Sequence, residues 1–319
     1  MLMLRKIVFF FFFLFVGLSL FAQQDYMVSS YVRGNFYNRG RISTESLRAS
    51  DDLIFLNVHK DGSLSFENPR AFQGKGVTTW EGLIKSVRAK VKGTKVKIRL
   101  GASSGEWKAM VADEAARTTF AKNIKTVLEK NKLDGIDLDF EWAENEKEYK
   151  DYSLAILKMR EVLGNKYLFS VSLHPVCYKI SKEAIEAVDF ISLQCYGPSP
   201  VRFPIEKYCS DIQMVLEYGI PKEKLVAGVP FYGVTKDNSK KTEAYFNFVQ
   251  NGLVTSPAQN EVIYQGDTYV FDGQDNIRIK TRYAKEQKLK GMMSWDLATD
   301  LPLSDSRSLL KTMTEELRE

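Results

Sequence analysis

The stretch that decides the fold is LDGIDLDFEW, Leu133 to Trp142. The carboxylates of Asp137, Asp139 and Glu141 alternate in it with isoleucine, leucine and phenylalanine. Successive side chains of a β-strand point to opposite faces, so the carboxylates share one face and the large apolar side chains share the other. A solvated acidic run would not place a large apolar residue at every second position. The pattern therefore predicts a strand with its apolar face packed on other elements.

The rest of the chain repeats a strand-then-helix pattern. Nearly continuous apolar runs, typical of strands covered on both faces, occur at 26–32, 53–58, 95–101, 133–140, 167–173, 188–196, 224–232 and 291–295. Amphipathic stretches such as 118–131 and 152–164 lie between most of them. Eight such strands favour a (β/α)8 TIM barrel over an open doubly wound sheet. The long interval 233–289, with a strand-like run at 262–271, predicts a modest insertion between strands 7 and 8 of a single domain.

The N-terminus has the pattern of a secretory signal peptide. Arg5 and Lys6 precede an apolar run from Ile7 to Ala22, which ends at a small residue. An uncleaved membrane anchor is the alternative, although the run is shorter than the roughly 20 residues that a spanning helix needs. We expect residues 1–22 to be removed, no membrane span in the mature chain, and a secreted, periplasmic or cell-envelope location. Residues 23–319 would then form the catalytic domain.

Composition excludes several classes of function. A formal net charge of +5, with no basic stripe interleaved with aromatics, argues against nucleic-acid binding. Two histidines in 319 residues give no zinc-site spacing and no Ser-His-Asp pattern, so we expect no metal and no cofactor. Three cysteines, Cys177, Cys195 and Cys209, are not a disulfide framework, although one bridge among them stays open. We expect a monomer.

The strand parity also predicts chemistry. In a barrel the carboxylates point inward and step toward the C-terminal mouth, where barrel enzymes keep their sites. Carboxylates so close cannot all ionise cheaply, so at least one keeps its proton near neutral pH, as a general acid requires. Glu141, nearest the mouth, is the candidate acid, and Asp139 lies one step below it. A solvated acidic face and a Mg²⁺ site at the strand end are the alternatives.

The segment from Asp134 to Glu141 resembles the DGxDxDxE signature of glycoside hydrolase family 18, the chitinase-like (β/α)8 barrels. The stretches 227–233 and 290–300 resemble the seventh and eighth strands of that family, and 192–197 resembles the sixth. The resemblance implies a substrate-assisted retaining mechanism, in which Glu141 protonates the glycosidic oxygen and the substrate's own N-acetyl carbonyl attacks the anomeric carbon. Asp139 would orient the acetamide, and Asp137 would pair with Asp139 from below.

The same resemblance implies the residues that bind the sugar. Tyr196 would hydrogen-bond the acetamide carbonyl, and Trp295 would form the floor on which that sugar stacks. Gln194 shares the inward face with Tyr196 and would offer an amide, while Tyr232 and Trp142 lie at the expected mouth, where aromatic rings stack on sugar faces.

The chain departs from the family pattern at several positions, one of which is Gln194, where the family usually has methionine. Arg99 stands where the third strand of the family usually carries an inward-facing serine, so the support below the aspartate pair is in question. Gly197 stands where an aspartate usually follows the sixth strand.

The leading hypothesis is a secreted, endo-acting, chitinase-like hydrolase of β-1,4-linked N-acetylglucosamine polymers. The modest insertion favours an open cleft and hence endo cleavage. An endo-β-N-acetylglucosaminidase that acts on N-glycans is the first alternative. A non-hydrolytic glycan-binding lectin on the same barrel is the second, although such proteins commonly lack the acid and Glu141 is present.

Overall fold

The structure is a computed structural model that describes residues 25–64, 77, 79–103, 105–197, 203–237 and 241–319. The predicted signal peptide, residues 1–22, lies outside these ranges, so its assignment stays a prediction. Within the described ranges, no helix is both long and apolar enough to cross a membrane.

Eight parallel strands close into a barrel. β1 pairs with β2 on one side and with the last strand, β12, on the other, where Met27 lies opposite Gly291. The barrel strands are β1 (Met27–Val32), β2 (Asp52–Leu56), β3 (Lys97–Ala102), β4 (Gly135–Leu138), β5 (Leu168–Leu173), β6 (Phe190–Leu193), β7 (Leu225–Pro230) and β12 (Gly291–Trp295). The predicted (β/α)8 barrel is confirmed.

Helices connect these strands and surround the barrel. They are α1 (Gly34–Asn38), α2 (Thr44–Ala49), α3 (Trp80–Lys90), α4 (Trp107–Met110), α5 (Glu114–Asn131), α6 (Glu146–Leu163), α7 (Lys182–Ala187), α8 (Ile205–Tyr218), α9 (Tyr245–Gln250), α10 (Gln274–Glu286) and α11 (Leu309–Arg318). The two amphipathic stretches predicted as helices lie inside α5 and α6. The helix α6 begins after Asn145, whose side chain accepts a hydrogen bond from the backbone N–H of Glu148 at 3.0 Å, and ends before Gly164 as expected.

The alternation read from the acidic strand holds in three dimensions. Ile136, Leu138 and Phe140 are buried in the large apolar layer between the barrel and its helices. Phe140 stacks on Trp107 of α4, with ring centroids 5.2 Å apart and planes at 10°. Asp137 points to the other side, into the barrel, and is fully buried there. The apolar face therefore anchors the strand and leaves the carboxylates inside.

Four barrel strands, β2, β4, β6 and β7, end earlier than the sequence predicts. β4 ends at Leu138 and β6 at Leu193, so Asp139, Glu141 and Gln194 follow their strands instead of belonging to them. The backbone stays attached for one more step, because Asp139 N donates to Ala102 O at 2.9 Å and Gln194 N donates to Leu173 O at 2.8 Å. The site residues thus keep the inward orientation that the strand alternation predicts, although they lie just beyond the strand ends.

The predicted insertion between the seventh and eighth barrel strands is a small antiparallel sheet with a short helix. Its strands are β8 (Tyr232–Thr235), β9 (Thr242–Ala244), β10 (Glu261–Tyr264) and β11 (Asp267–Val270), in the order β10-β11-β8-β9. The hairpin of β10 and β11 accounts for the strand-like run predicted at 262–271. Phe248 of α9 is fully buried and contacts the rings of Tyr264 and Tyr269, so the insertion has an apolar centre of its own.

Candidate active site

A cavity of about 230 Å³ opens where the barrel strands end. It lies at the carboxyl ends of the strands, the face where barrel enzymes carry their sites. The structure brings seven of the eight predicted site residues to its wall, and Asp137 lies beneath them. The lining residues are Tyr31, Asp139, Glu141, Trp142, His174, Gln194, Tyr196, Gly197, Tyr232 and Trp295.

Gln194 joins the two upper carboxylates. Its Nε2 donates to Asp139 Oδ1 at 2.8 Å and to Glu141 Oε1 at 3.0 Å. Asp139 is buried, whereas Glu141 reaches the solvent at the mouth. Burial raises the pKa of Asp139 well above its ordinary value, and the neighbouring carboxylates of Glu141 and Asp137 raise it further. The pKa of Glu141 is raised by the partial burial of its carboxyl group, against the lowering effect of Gln194. The pair can therefore retain a proton at a higher pH than two isolated carboxyl groups would.

Asp137 is held by side chains from the adjacent strand β5 and from β1, which lies across the barrel. Tyr31 of β1 donates to Asp137 Oδ2 at 2.7 Å, and the hydroxyl of Ser170 on β5 donates to Oδ1. The expected pairing of Asp137 with Asp139 is not seen among the described contacts, where Asp139 instead turns toward Glu141 through the shared amide. The physical reason is that an ionised carboxylate only accepts hydrogen bonds, so two carboxylates do not bond to each other, whereas the hydroxyls of Tyr31 and Ser170 donate to Asp137.

Aromatic side chains form the floor and one wall of the cavity. Trp295 ends β12 and packs edge-on against Tyr31, with ring centroids 5.2 Å apart. Tyr196 meets Tyr232 edge-on at 6.5 Å. Burial raises the pKa of Tyr196 well above its ordinary value, so its hydroxyl keeps its proton at neutral pH and can donate a hydrogen bond. An apolar floor with one donor beside it suits a sugar that carries an amide.

On the opposite wall, Trp142 packs on a histidine that the sequence reasoning missed. The rings of Trp142 and His174 lie 4.9 Å apart, and His174 Nδ1 accepts the backbone N–H of Val176 at 3.2 Å. Tyr31 was missed as well, although it could have been found from its inward parity on the first strand. His174 carried no such signal, because it lies in the tight turn that follows β5.

A second cavity of about 420 Å³ borders the first and shares Tyr232 and Trp295 with it. Its other walls come from the segment after β1 and from the insertion, including Arg33, Phe36 and Phe246. The rings of the shared residues thus stand between two adjoining spaces. The two cavities therefore adjoin at Tyr232 and Trp295.

Known proteins resemble this chain in sequence and in fold. "Probable chitinase 2" of Drosophila melanogaster is 23% identical, in a match that covers 65% of this chain but only 56% of that protein. The crystal structure of the GH18 chitinase ChiB from Flavobacterium johnsoniae superposes with a TM-score of 0.75 at 23% identity, covering 92% of this chain and 94% of that one. A chitinase structure from Bacteroides thetaiotaomicron gives the same score at 20% identity, covering 92% and 96%.

At these identities the solved structures show a shared fold. The family model described as "Glycosyl hydrolases family 18" matches residues 31–300, which include every predicted site residue and most of the chain. The chain belongs to glycosyl hydrolase family 18.

Proposed function

We propose that this protein is an endo-acting glycoside hydrolase that cleaves β-1,4-linked N-acetylglucosamine oligo- and polysaccharides, with Glu141 as the general acid. The observation that carries the proposal is the pair of Asp139 and Glu141, bridged by the amide of Gln194 beside the floor of Trp295. The site combines a protonatable carboxyl group at the mouth with a buried carboxylate and an apolar platform. These groups together suit acid-assisted cleavage of a sugar that carries an N-acetyl group.

The reaction would proceed in two steps. Glu141 gives its proton to the glycosidic oxygen, while the acetamide oxygen of the sugar on Trp295 attacks its own anomeric carbon and the bond to the leaving sugar breaks. The positive charge of the resulting oxazolinium ring is balanced by Asp139, and Tyr196 donates to the acetamide oxygen. Water then opens the ring as Glu141 takes back a proton, which gives retention of configuration. The nucleophile belongs to the substrate, as in the recognised exceptions to the two-carboxylate scheme.

Endo cleavage is supported by the second cavity beside the first. The second cavity adjoins the first across Tyr232 and Trp295, so further sugar units have space beyond the bond to be cut. We also propose that residues 1–22 are a signal peptide and that the mature protein acts outside the cytoplasm, on the strength of the two cations and the apolar run that follows them.

The decisive variant is Glu141→Gln, which keeps the shape of the side chain and removes the acid. We expect it to bind chitohexaose as wild type does, by calorimetry, while turnover falls by about 100-fold or more, the range of general acid catalysis. Glu144→Gln is the matched control, because Glu144 is an exposed glutamate three residues along the same loop. Equal loss of binding and turnover in Glu141→Gln would make Glu141 a structural residue.

The substrate is identified by comparing products from chitohexaose, a high-mannose glycopeptide and peptidoglycan fragments. Internal cleavage of chitohexaose is the expected result. Preferred cleavage of the glycopeptide would replace the proposal with an endo-β-N-acetylglucosaminidase of N-glycans. Binding of all three without any product would make the protein a lectin.

A further inference from the structure

At the centre of the barrel lies an arginine that is buried completely. Arg99 of β3 pairs with Asp52 of β2 through two bonds, Nε to Oδ1 at 2.7 Å and Nη2 to Oδ2 at 2.5 Å. Its Nη1 donates to Ile136 O at 2.9 Å and to Ser170 Oγ at 2.6 Å. Removing two charges from water costs several kcal/mol for each ion before pairing offsets it. Replacing a buried ion pair by apolar residues of similar volume often leaves a protein equally stable. Stability alone therefore does not explain why an arginine is buried at this position.

The donors of Arg99 fix the direction of the hydrogen bonds above it. A guanidinium can only donate, so the oxygen of Ser170 must accept from Arg99. The single hydroxyl proton of Ser170 is then left for Asp137, to which it is donated. Tyr31 donates to the other oxygen of Asp137 at 2.7 Å. Asp137 is consequently surrounded by donors, the environment that suits an ionised carboxylate.

We propose that Arg99 is a positioning residue for the acidic segment: through Ser170 it holds Asp137 in place and ionised, directly below Asp139. The ion pair with Asp52 and the hydroxyl of Ser170 together take the place of the buried serine that the family pattern expects at position 99. This inference rests on the proposed function, because it concerns how the same site is tuned. Arg99 touches no part of the cavity and acts only through other residues.

The charge on Asp137 matters for the proton that Glu141 delivers. Burial raises the pKa of Asp137 above its ordinary value, and the guanidinium of Arg99 with the hydroxyls of Ser170 and Tyr31 limits this rise. Asp137 in its ionised form raises the pKa of Asp139. The titratable and charged groups that surround these two carboxylates are Tyr31, Asp52, Arg99, Glu141, Tyr152 and Tyr196.

Without Arg99, Asp137 takes up a proton at a higher pH, because fewer groups then counter the increase in its pKa that burial causes. A neutral Asp137 no longer raises the pKa of Asp139, so the pair of Asp139 and Glu141 loses its proton at a lower pH. The basic limb of the pH profile of kcat should therefore move to lower pH, by about one unit for a neighbouring charge. At a given pH on the basic limb kcat should therefore fall about tenfold, which corresponds to about 1.4 kcal/mol.

The test compares Arg99→Met and Ser170→Ala with Ser192→Ala. Ser192 is a fully buried serine on the neighbouring strand β6, so it is matched to Ser170 in type and burial. Ser170→Ala leaves the ion pair of Arg99 intact and decides the question even if Arg99→Met does not fold. Both variants should shift the basic limb, and Ser192→Ala should not. A wild-type pH profile and kcat in Ser170→Ala would overturn the proposal.

A second measurement needs no activity. Carbon-13 NMR titration of the aspartate carboxyl groups, in the full chain without substrate, should show Asp137 titrating at higher pH in Ser170→Ala than in wild type. An unchanged titration of Asp137 would overturn the role of Arg99 whatever the enzyme does. Absence of hydrolysis by wild type would instead remove the proposed function and leave the titration result standing.

Discussion

Replacement of Gln194 by methionine should move the pH profile in a direction that the structure fixes. The amide donates one hydrogen bond to each upper carboxylate, at 2.8 Å to Asp139 and 3.0 Å to Glu141. Both bonds favour the ionised form, so each lowers the pKa of the carboxyl group that accepts it. Methionine fills a similar volume and donates nothing. The pKa of Glu141 and that of Asp139 should both rise in Gln194→Met.

The size of the shift follows from the strength of such a bond. A hydrogen bond to a charged group contributes about 1.5–3 kcal/mol, and one pKa unit corresponds to about 1.36 kcal/mol. Because Glu141 reaches the solvent, water replaces part of the lost bond, and the lower end of that range applies. We expect Glu141 to stay protonated to a pH higher by about one unit.

The assay is the pH dependence of kcat/KM on a fluorogenic chito-oligosaccharide. The activity of a general acid is lost as pH rises through its pKa, so the basic limb should move up by about one unit in Gln194→Met. The control is Gln213→Met, because Gln213 of α8 also donates to a glutamate, Glu217, at 2.9 Å, but on the exposed surface. A basic limb that stays in place, or moves down, would refute the assignment of the amide as the group that opposes burial.

Three further changes have expected outcomes. Lys280→Met should lower the free energy of unfolding by about 3–5 kcal/mol in urea titration, because it leaves Asp272 buried without its ion-pair partner at 2.6 Å; a cost below about 1 kcal/mol, typical of exposed pairs, would contradict this. Gly135→Ala should abolish soluble folded protein, since its Cβ would lie 1.9 Å from Leu168 O on the adjacent strand; a near-wild-type melting temperature would speak against that geometry. Trp295→Leu should raise KM for chitohexaose about tenfold by removing one ring from the floor, a loss of about 1.4 kcal/mol; an unchanged KM would argue that the sugar binds elsewhere.

The fold was predictable because the order of apolar and polar side chains along a strand indicates which face of the strand is buried against the helices. Ile136 and Leu138 alternate with Asp137, so parity alone assigned the outer and inner faces that the structure shows. The strand ends were less predictable. β4 ends at Leu138, which lies opposite Ala102, the last residue of its neighbour β3. The end of a barrel strand depends on the partner's length, and a single strand's sequence does not contain that information.

The site residues were predictable where a short segment, or the alternation of side chains along one strand, indicated which face they occupy. Asp139, Glu141 and Gln194 were all placed on inward faces, and the structure brings them within hydrogen-bond distance. The network of Arg99 was not predictable, since its partners Asp52 and Ser170 lie 47 and 71 residues away along the chain. Whether such side chains meet is decided by the register of four neighbouring strands, which no local pattern specifies.

Two neighbouring groups change the pKa of Asp139, and they change it in opposite directions. The charge of Asp137 below raises the pKa of Asp139, while the amide of Gln194 beside it lowers that pKa. Replacing Ser170 should therefore move the basic limb of activity down, and replacing Gln194 should move it up. If burial alone set the proton affinity of the site, both replacements of a polar by an apolar side chain would act in the same direction, because each makes the surroundings of the carboxylates less polar. Opposite shifts in the two variants would show that specific hydrogen bonds and charges, and not the low polarity of the barrel interior alone, set the pH at which Glu141 can give up its proton.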